Sequence, residues 1–374
     1  MLALVSKIMG WDDDQYSKEM QWLQLMSQVK YDGYADYGAG VRFIETLATW
    51  LKQFTPEDRN TAYRFVKERL VYISPPELQQ LIEAFIPETV TPKIRMQLAN
   101  ELKIPSYEVW RAPEGYRKFR RKLRKTLFIG MSDGSRIDIL RRANAGKIST
   151  EQIVSSMSID EEKWESLGEA LEGDDYGGKN SQFDHVYLID DFTASGTTFV
   201  RQKSGEWKGK LTKFNRNVRT ARSNLKDKFP LAPGFKLHIH HYLSSEQARS
   251  TLVELVGKAI KESNFKADFT DPEITEGLLL PKNLKLEPSR ESDKSFLELC
   301  DRYYDHALYL RLKKHCDEAG QSDMKLGYAN CALPIVLDHN TPNNSIPLLW
   351  AETVGKDGEA HPMEPLFHRR DRHG

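Results

Sequence analysis

The chain has 374 residues, more than one typical domain, which predicts either two units or one core with large additions. Basic and acidic residues number 54 each, so net charge excludes a global attraction to nucleic acid or to a membrane surface. The apolar run at residues 1 to 9 is too short to span a bilayer and lacks a small-residue cleavage site. Three cysteines match no metal spacing, and we expect buried thiols and a reducing, cytoplasmic setting.

Residues 1 to about 112 carry helical signals almost throughout. Thr55-Pro56 and Ser74-Pro75 each place a capping hydroxyl before a proline, which is typical of a helix start. One face at helical spacing is apolar and is interpreted as core or as a partner surface: Phe43, Ile44, Leu47, Trp50, Leu51 and Phe54.

Residues 116 to 125 carry seven basic side chains and two aromatic ones just before an apolar run. A solvated helix face is the preferred interpretation, and contact with nucleic acid or phosphates is the alternative.

Residues 126 to 137 pass from an apolar strand into a glycine-bracketed turn and then a helix start. Ser135 is a suitable cap for that helix, and Gly146 a suitable stop. From residue 150 to 171 the pattern is mostly helical, and an acidic, glycine-rich stretch follows at residues 172 to 184.

Residues 186 to 198, VYLIDDFTASGTT, are the most informative segment. Four apolar residues predict a central strand covered on both faces, and Asp190 and Asp191 follow where ligands bind in α/β sheets. Residues 194 to 198 offer backbone amides and hydroxyls with little bulk, which suits a phosphate. The carboxylates would repel that phosphate unless they bind sugar hydroxyls or a divalent cation such as Mg²⁺. The segment therefore indicates a phosphorylated sugar; a plain helix cap is the alternative.

Beyond this segment we expect a short helix at residues 197 to 203 and then a loop to residue 210. A helix at residues 211 to 226 has a basic outer face, preferably solvated, and residues 235 to 243 form a strand with His238 and His240 on one face. A helix follows at residues 245 to 260, and a mixed insertion to residue 324 includes a long helix around residues 296 to 316.

A second polar turn follows the strand-like run ALPIVL near the end of the chain. Amide and imidazole side chains on a proline-stiffened loop can bind the edge of a nucleobase or another acceptor, or can satisfy their own turn. We favour the first interpretation for His339, Asn340, Asn343 and Asn344.

At Asp190, Asp191, Ser195, Gly196 and Thr198 the chain resembles the type I phosphoribosyltransferases, which use 5-phosphoribosyl-1-pyrophosphate (PRPP). The resemblance implies that Asp190 and Asp191 are catalytic, bind the ribose hydroxyls and bind Mg²⁺ indirectly. It assigns the 5′-phosphate to Thr193, Ala194, Ser195, Gly196, Thr197 and Thr198. It assigns the pyrophosphate to the earlier turn, at Gly130, Ser132, Asp133, Gly134, Ser135 and Arg136.

This family usually has a further strand and a mobile catalytic loop between those two motifs. The chain departs from that pattern, because residues 145 to 183 look mostly helical and no catalytic residue can be carried onto them. Residues 172 to 184 are a candidate cover by location, and a linker is the alternative.

The helical front half and the Asn- and Pro-rich ending also resemble phosphoribosyltransferase-like effectors of bacterial anti-phage, retron-type systems. That resemblance implies a toxic effector silenced by partners, such as a reverse transcriptase with its non-coding RNA or DNA and a winged-helix protein. No membrane partner is expected.

We expect an α/β fold with a parallel-rich phosphoribosyltransferase-type sheet, a helical N-terminal region at residues 1 to 112 and a core at residues 113 to 350. We also expect a helical insertion near residues 284 to 325 and a basic tail at residues 351 to 374. The leading hypothesis is an enzyme that uses PRPP, or a related phosphoribosyl nucleotide, with Mg²⁺. The alternatives are a non-catalytic nucleotide or PRPP sensor that controls a partner and a nucleic-acid-binding scaffold.

Overall fold

The computed structural model describes residues 2–355 and 362–369. Its helices are α1 Leu2–Met9, α2 Asp13–Val29, α3 Phe43–Lys52, α4 Pro56–Glu68, α5 Pro75–Ala84, α6 Thr91–Leu102, α7 Gly115–Arg124, α8 Ile137–Ala143, α9 Glu161–Glu172, α10 Lys210–Leu225, α11 Glu246–Ala259, α12 Glu291–Arg302 and α13 Ala307–Glu318. Its strands are β1 Val71–Ile73, β2 Thr126–Gly130, β3 Ile153–Val154, β4 Phe183–Thr193, β5 Arg201–Lys203, β6 Glu206–Lys208, β7 Leu231–Ser245, β8 Phe269–Leu280 and β9 Ile335–Leu337.

The chain forms two compact units. Unit 1 combines Met1–Leu78 with Pro281–Gly374, and unit 2 is Gln79–Leu280. The boundaries between the units lie after Leu78 and after Leu280, whereas the expected domain boundaries lie at residues 112 and 350. The segment expected as an insertion near residues 284 to 325 belongs to unit 1.

The core of unit 1 is built largely on the amphipathic helices of the front half. The apolar face expected on α3 is buried, and α4 begins at Pro56 directly after Thr55, as the sequence predicts. β1 pairs in parallel with β9, which brings both ends of the chain into one core. Phe367, in the expected tail, is fully buried and packs on Phe43. The expected tail's residues 356–361 and 370–374 lie outside the described residues.

The prediction of one long helix around residues 296 to 316 is wrong, because two helices occupy that span. α12 ends at Arg302 and α13 begins at Ala307. Between them the carboxylate of Asp305 accepts a hydrogen bond from the amide of Ala307 at 2.8 Å, which stabilises the turn that separates the two helices.

Unit 2 contains a five-stranded parallel sheet in the order β3-β2-β4-β7-β8, which confirms the expected α/β fold. The chain runs outward from β2 to β3 and then returns to place β4 on the other side of β2. The carboxyl ends of β2 and β4 therefore flank a topological switch point, where open α/β sheets bind their ligands.

Two strands of this sheet were not predicted. β3 has only two residues, too few for a period-2 pattern, and it lies inside a segment interpreted as helical. β8 contains Pro272 and Gly277, which disfavour a strand interior, but β8 is an edge strand and edges tolerate both. The further strand usual in type I phosphoribosyltransferases is therefore present as β3.

The prediction of a short helix at residues 197 to 203 is also wrong. Residues 197 to 199 form a turn, and β5 pairs with β6 as an antiparallel hairpin. Ser204 and Gly205 between them both have positive φ, 51° and 78°, as the tight two-residue hairpin turn requires. The Ser-Gly pair was the available sequence signal for this hairpin.

The three cysteines, Cys300, Cys316 and Cys331, are buried and none forms a disulfide. Within the described ranges, no helix is both long enough and apolar enough to cross a membrane.

Candidate functional site

The two predicted binding segments of unit 2 meet at the switch point of its sheet. Gly130, the last residue of β2, is in register with Ile189, and the amide of Met131 donates to the carbonyl of Ile189 at 2.9 Å. β4 continues to Thr193, so Asp190 and Asp191 lie inside this strand rather than after it. They project just beyond the last residue of β2, where the sheet opens.

Asp190 is a buried carboxylate with both oxygens engaged. The hydroxyl of Ser132 donates to Oδ1 at 2.5 Å, and the ammonium of Lys210 contacts Oδ2. Burial raises the pKa of Asp190, and the neighbouring charge of Asp191 acts in the same direction, while Lys210 and Ser132 oppose the rise. The turn after β2 and the start of α10 are thus tied together through this one carboxyl group.

Asp191 lies half-buried against the turn that follows β2. A Cβ atom added to Gly134 would lie 2.6 Å from Cγ of Asp191, closer than real Cβ atoms approach. Only glycine therefore fits at position 134 while the Asp191 carboxylate keeps its place. The predicted pyrophosphate turn and the second aspartate form one continuous surface.

The predicted pyrophosphate turn is pinned to the sheet by the buried side chain of Ser135. Its hydroxyl donates to the carbonyl of Ile189 at 2.8 Å and accepts from the amides of Met131 and Ser132 at 3.1 and 3.2 Å. Its oxygen is therefore engaged within the protein. Across the described part of the chain, the amides of Asp133 and Gly134 donate to no protein acceptor, so these two donors of the turn are available to a ligand.

Residues 194 to 198, which we call the phosphate loop, connect the end of β4 to the hairpin. Ala194, Ser195 and Gly196 are buried, yet none of the amides at residues 195 to 198 donates to an acceptor within the described ranges. The hydroxyls of Ser195 and Thr197 lie 2.9 Å apart. Consecutive amides without a protein acceptor are the donors that an anion-binding loop requires.

The phosphate loop is held against the first turns of α11. The hydroxyl of Ser245 donates to the carbonyl of Ala194 at 2.5 Å and caps α11 by accepting from the amide of Ala248. Gly196 has φ +75°, and a Cβ there would lie 2.9 Å from the carbonyl of Ala248. Glycine is therefore required both by the backbone conformation and by the close approach of the helix.

Two buried side chains of β7 adjoin the acidic pair. His241 is in register with Asp190, and burial lowers its pKa to about 3, with the charge of Lys210 acting in the same direction. Burial raises the pKa of Tyr242, and the charges of Asp191 and Asp190 add to the rise. Both side chains are therefore neutral near pH 7.

Lys210 is the site residue that the sequence reasoning missed. It is the first residue of α10, and the prediction for this helix concerned only its basic outer face. The hairpin β5–β6 returns the chain to the phosphate loop and so delivers Lys210 to the acidic pair. The signal that could have indicated it is the Gly209-Lys210 pair directly after the hairpin, since glycine before a helix start marks a close backbone approach.

The predicted acceptor residues lie in unit 1. His339 Nδ1 lies 2.9 Å from Oδ1 of Asp338, and the side-chain amide of Asn344 donates to the carbonyl of Tyr328 at 3.1 Å. Asn344 therefore satisfies its own turn, which was the alternative interpretation for this segment. The acceptor role of His339, Asn340 and Asn343 stays a prediction.

The glycine-rich stretch at residues 172 to 184, the candidate cover, lies at the amino ends of the strands, opposite the end that holds the site. Residues 173 to 182 lead into the amino end of β4, and Asp174 there forms an ion pair with Arg124 at 3.0 Å. Seven residues of β4 separate this end from Asp190, about 23 Å of strand. A cover role for this stretch is therefore not compatible with the structure. Residues 155 to 160 instead leave the carboxyl end of β3, on the edge that holds the site.

Several basic side chains of α7 make contacts within the protein, whereas the basic face of α10 is solvated as predicted. On α7, Lys122 pairs with Glu101 and the guanidinium of Arg120 lies over the ring of Tyr176. On α10, Lys213, Arg216 and Arg219 are exposed.

His238 and His240 share one face of β7, as predicted; His238 lies 2.9 Å from a ring nitrogen of His185. Among the described residues, no group of three potential ligands has metal-binding geometry.

Comparison with known proteins gives one match. The sequence model of the family described as PRTase-CE matches residues 47–369. No curated protein and no solved structure matches the chain significantly.

Proposed function

The chain belongs to the PRTase-CE family and is phosphoribosyltransferase-like; from this and the site geometry we propose that unit 2 binds PRPP with Mg²⁺ and transfers its phosphoribosyl group. One observation carries the proposal. Two loops whose amides have no protein acceptor among the described residues flank a pair of aspartates at the switch point of the sheet. A sugar that carries hydroxyls between two phosphate groups has the acceptors and donors that match these two loops and the aspartates.

Each part of the site has a role in this proposal. The phosphate loop holds the 5′-phosphate through the amides of residues 195 to 198, and the amides of Asp133 and Gly134 hold the pyrophosphate. Asp190 and Asp191 accept hydrogen bonds from the ribose hydroxyls. Their carboxylates are oxygen donors of the kind Mg²⁺ prefers, and the bound cation would neutralise the leaving pyrophosphate.

The proposed reaction breaks the bond between C1 of the ribose and the pyrophosphate oxygen while the acceptor forms a new bond to C1. The carboxylates of Asp190 and Asp191 stabilise the positive charge that develops on the ribosyl centre. Water must be excluded from C1 for transfer to win over hydrolysis. We assign that cover to residues 155 to 160, because they leave β3 on the edge that holds the site.

Release of pyrophosphate tests the transferase. Purified wild type with PRPP and Mg²⁺ should release pyrophosphate once an acceptor is supplied from a panel of nucleobases and nucleosides. Asp190→Asn should abolish release while leaving the circular dichroism spectrum unchanged. Lys213→Met, on the exposed face of α10, is the matched control and should retain full release. Release that survives Asp190→Asn would overturn the assignment.

A non-catalytic PRPP or nucleotide sensor is the second candidate. It is favoured by the position of residues 173 to 182, which approach the amino end of β4 and so do not supply a catalytic loop to the site. A sensor would bind PRPP and change the affinity of a partner protein without releasing pyrophosphate. The two candidates therefore share the binding result and separate on turnover.

The biological setting is proposed from the sequence resemblance alone. We propose a toxic anti-phage effector of the cytoplasm, silenced by a reverse transcriptase with its non-coding RNA or DNA and by a winged-helix protein. Expression of the chain alone should arrest growth, and Asp190→Asn should relieve the arrest. Equal toxicity of the two forms would contradict this setting.

A further inference from the structure

Lys210 provides the cation that contacts the buried carboxylate of Asp190. The side chain of Asp190 is 7% exposed, and its other oxygen accepts from Ser132 at 2.5 Å. A carboxylate buried this deeply stays ionised only with a counter-charge and hydrogen bonds around it. The contact with Lys210 is therefore a requirement of the ligand-free site rather than a surface ion pair.

The backbone places Lys210 at the end of the phosphate loop. Gly209 has φ +115°, and a Cβ there would lie 2.8 Å from the carbonyl carbon of Phe199. The amide of Leu211 donates to the carbonyl of Phe199 at 3.0 Å, and that of Lys210 to the carbonyl of Thr198 at 3.4 Å. The first turn of α10 is thus tied to the loop assigned to the 5′-phosphate.

Lys210 and Asp190 differ in their freedom to move. The lysine side chain is 22% exposed and ends a flexible four-carbon stem, whereas Asp190 sits on a central strand. His241, the adjacent residue on β7, is buried and neutral and supplies no counter-charge. A divalent cation that reaches Asp190 would therefore have to displace the mobile ammonium of Lys210.

We propose that Lys210 is a tethered counter-ion: it neutralises Asp190 while the pocket holds no metal and yields this carboxylate to the Mg²⁺ that accompanies the ligand. Lys210 is a positioning residue in this scheme, because it acts through Asp190. The role of Mg²⁺ rests on the proposed function. The consequence is that Lys210 sets how strongly phosphoribosyl binding depends on magnesium.

Thermal unfolding without PRPP tests the counter-ion directly. Lys210→Met should lower the unfolding midpoint by about 5 °C in EDTA, and excess Mg²⁺ should restore it, because the metal replaces the missing charge. Lys210→Arg keeps the charge and should lie close to wild type. Lys213→Met is the control and should match wild type in both media. A Lys210→Met protein as stable as wild type in EDTA, or one that Mg²⁺ fails to restore, would overturn the proposal.

Calorimetric titration with PRPP provides the second measurement. Lys210→Met should weaken binding about tenfold in EDTA, where the acidic pair would repel the phosphates, and by less than about threefold at saturating Mg²⁺. Equal losses in the two media would reveal a purely structural lysine and overturn the proposal. If wild type binds no PRPP in either medium, the proposed function fails, while the unfolding experiment still decides the role of Lys210.

Discussion

Replacement of Gly134 by alanine should separate ligand binding from folding at this site. The added Cβ would lie 2.6 Å from Cγ of Asp191, so the carboxylate must move away from the turn that follows β2. Gly134 does not have a positive φ, so alanine adds a steric conflict without backbone strain. Displacing Asp191 removes one charge-assisted hydrogen-bonding group from the ribose, worth about 1.5–3 kcal/mol. We therefore expect PRPP binding to weaken by about tenfold to a hundredfold.

The assay is calorimetry with PRPP and Mg²⁺, together with thermal unfolding of each protein. Gly257→Ala is the matched control, since Gly257 lies in α11 with no atom within 4 Å of the added Cβ. It should leave binding unchanged and stabilise the helix by about 0.5–1 kcal/mol. If Gly134→Ala folds normally and binds PRPP as tightly as wild type, the proposed role of Asp191 in ribose binding is refuted.

Three further predictions concern pH, the phosphate loop and the turn of unit 1. Burial lowers the pKa of His240 and His241 to about 3, so the unfolded chain binds more protons than the fold below about pH 6.5. The free energy of unfolding should therefore decrease as the pH is lowered, by about 1.4 kcal/mol per histidine between neutral pH and about pH 5.5. Equal urea midpoints at the two pH values would contradict this. Gly196→Ala should weaken PRPP binding and lower the unfolding temperature together, since the Cβ meets the carbonyl of Ala248 at 2.9 Å; an unchanged affinity would count against the phosphate loop. Asn344→Ala should cost about 1–3 kcal/mol in urea unfolding, because its buried donor holds the turn, and should leave PRPP binding intact; weakened binding by a folded variant would restore Asn344 as a ligand group.

The α/β class and the strand carrying the acidic pair could be predicted because their signals are local. Four consecutive apolar residues before Asp190 specify a buried strand, and the glycine-rich turns specify how the chain leaves it. The helices α3 and α4 follow in the same way from apolar spacing and from a proline at the first helical position.

Elements whose stability comes from tertiary contacts could not be predicted. β3 is two residues long and exists because β2 pairs with it, and β8 tolerates Pro272 because it is an edge strand. Lys210 was missed for a related reason. Its contact with Asp190 spans 20 residues of sequence and depends on the hairpin β5–β6, which the sequence pattern predicted as a helix and a loop.

Calorimetric titration of the full chain with PRPP in excess Mg²⁺ tests the central claim most directly. Wild type should bind PRPP more tightly with Mg²⁺ than in EDTA. The Asp190→Asn/Asp191→Asn double variant should unfold cooperatively yet bind no PRPP, because the ribose and the cation lose their carboxylates. Absence of binding by folded wild type, or unchanged binding by the double variant, would contradict the phosphoribosyl site.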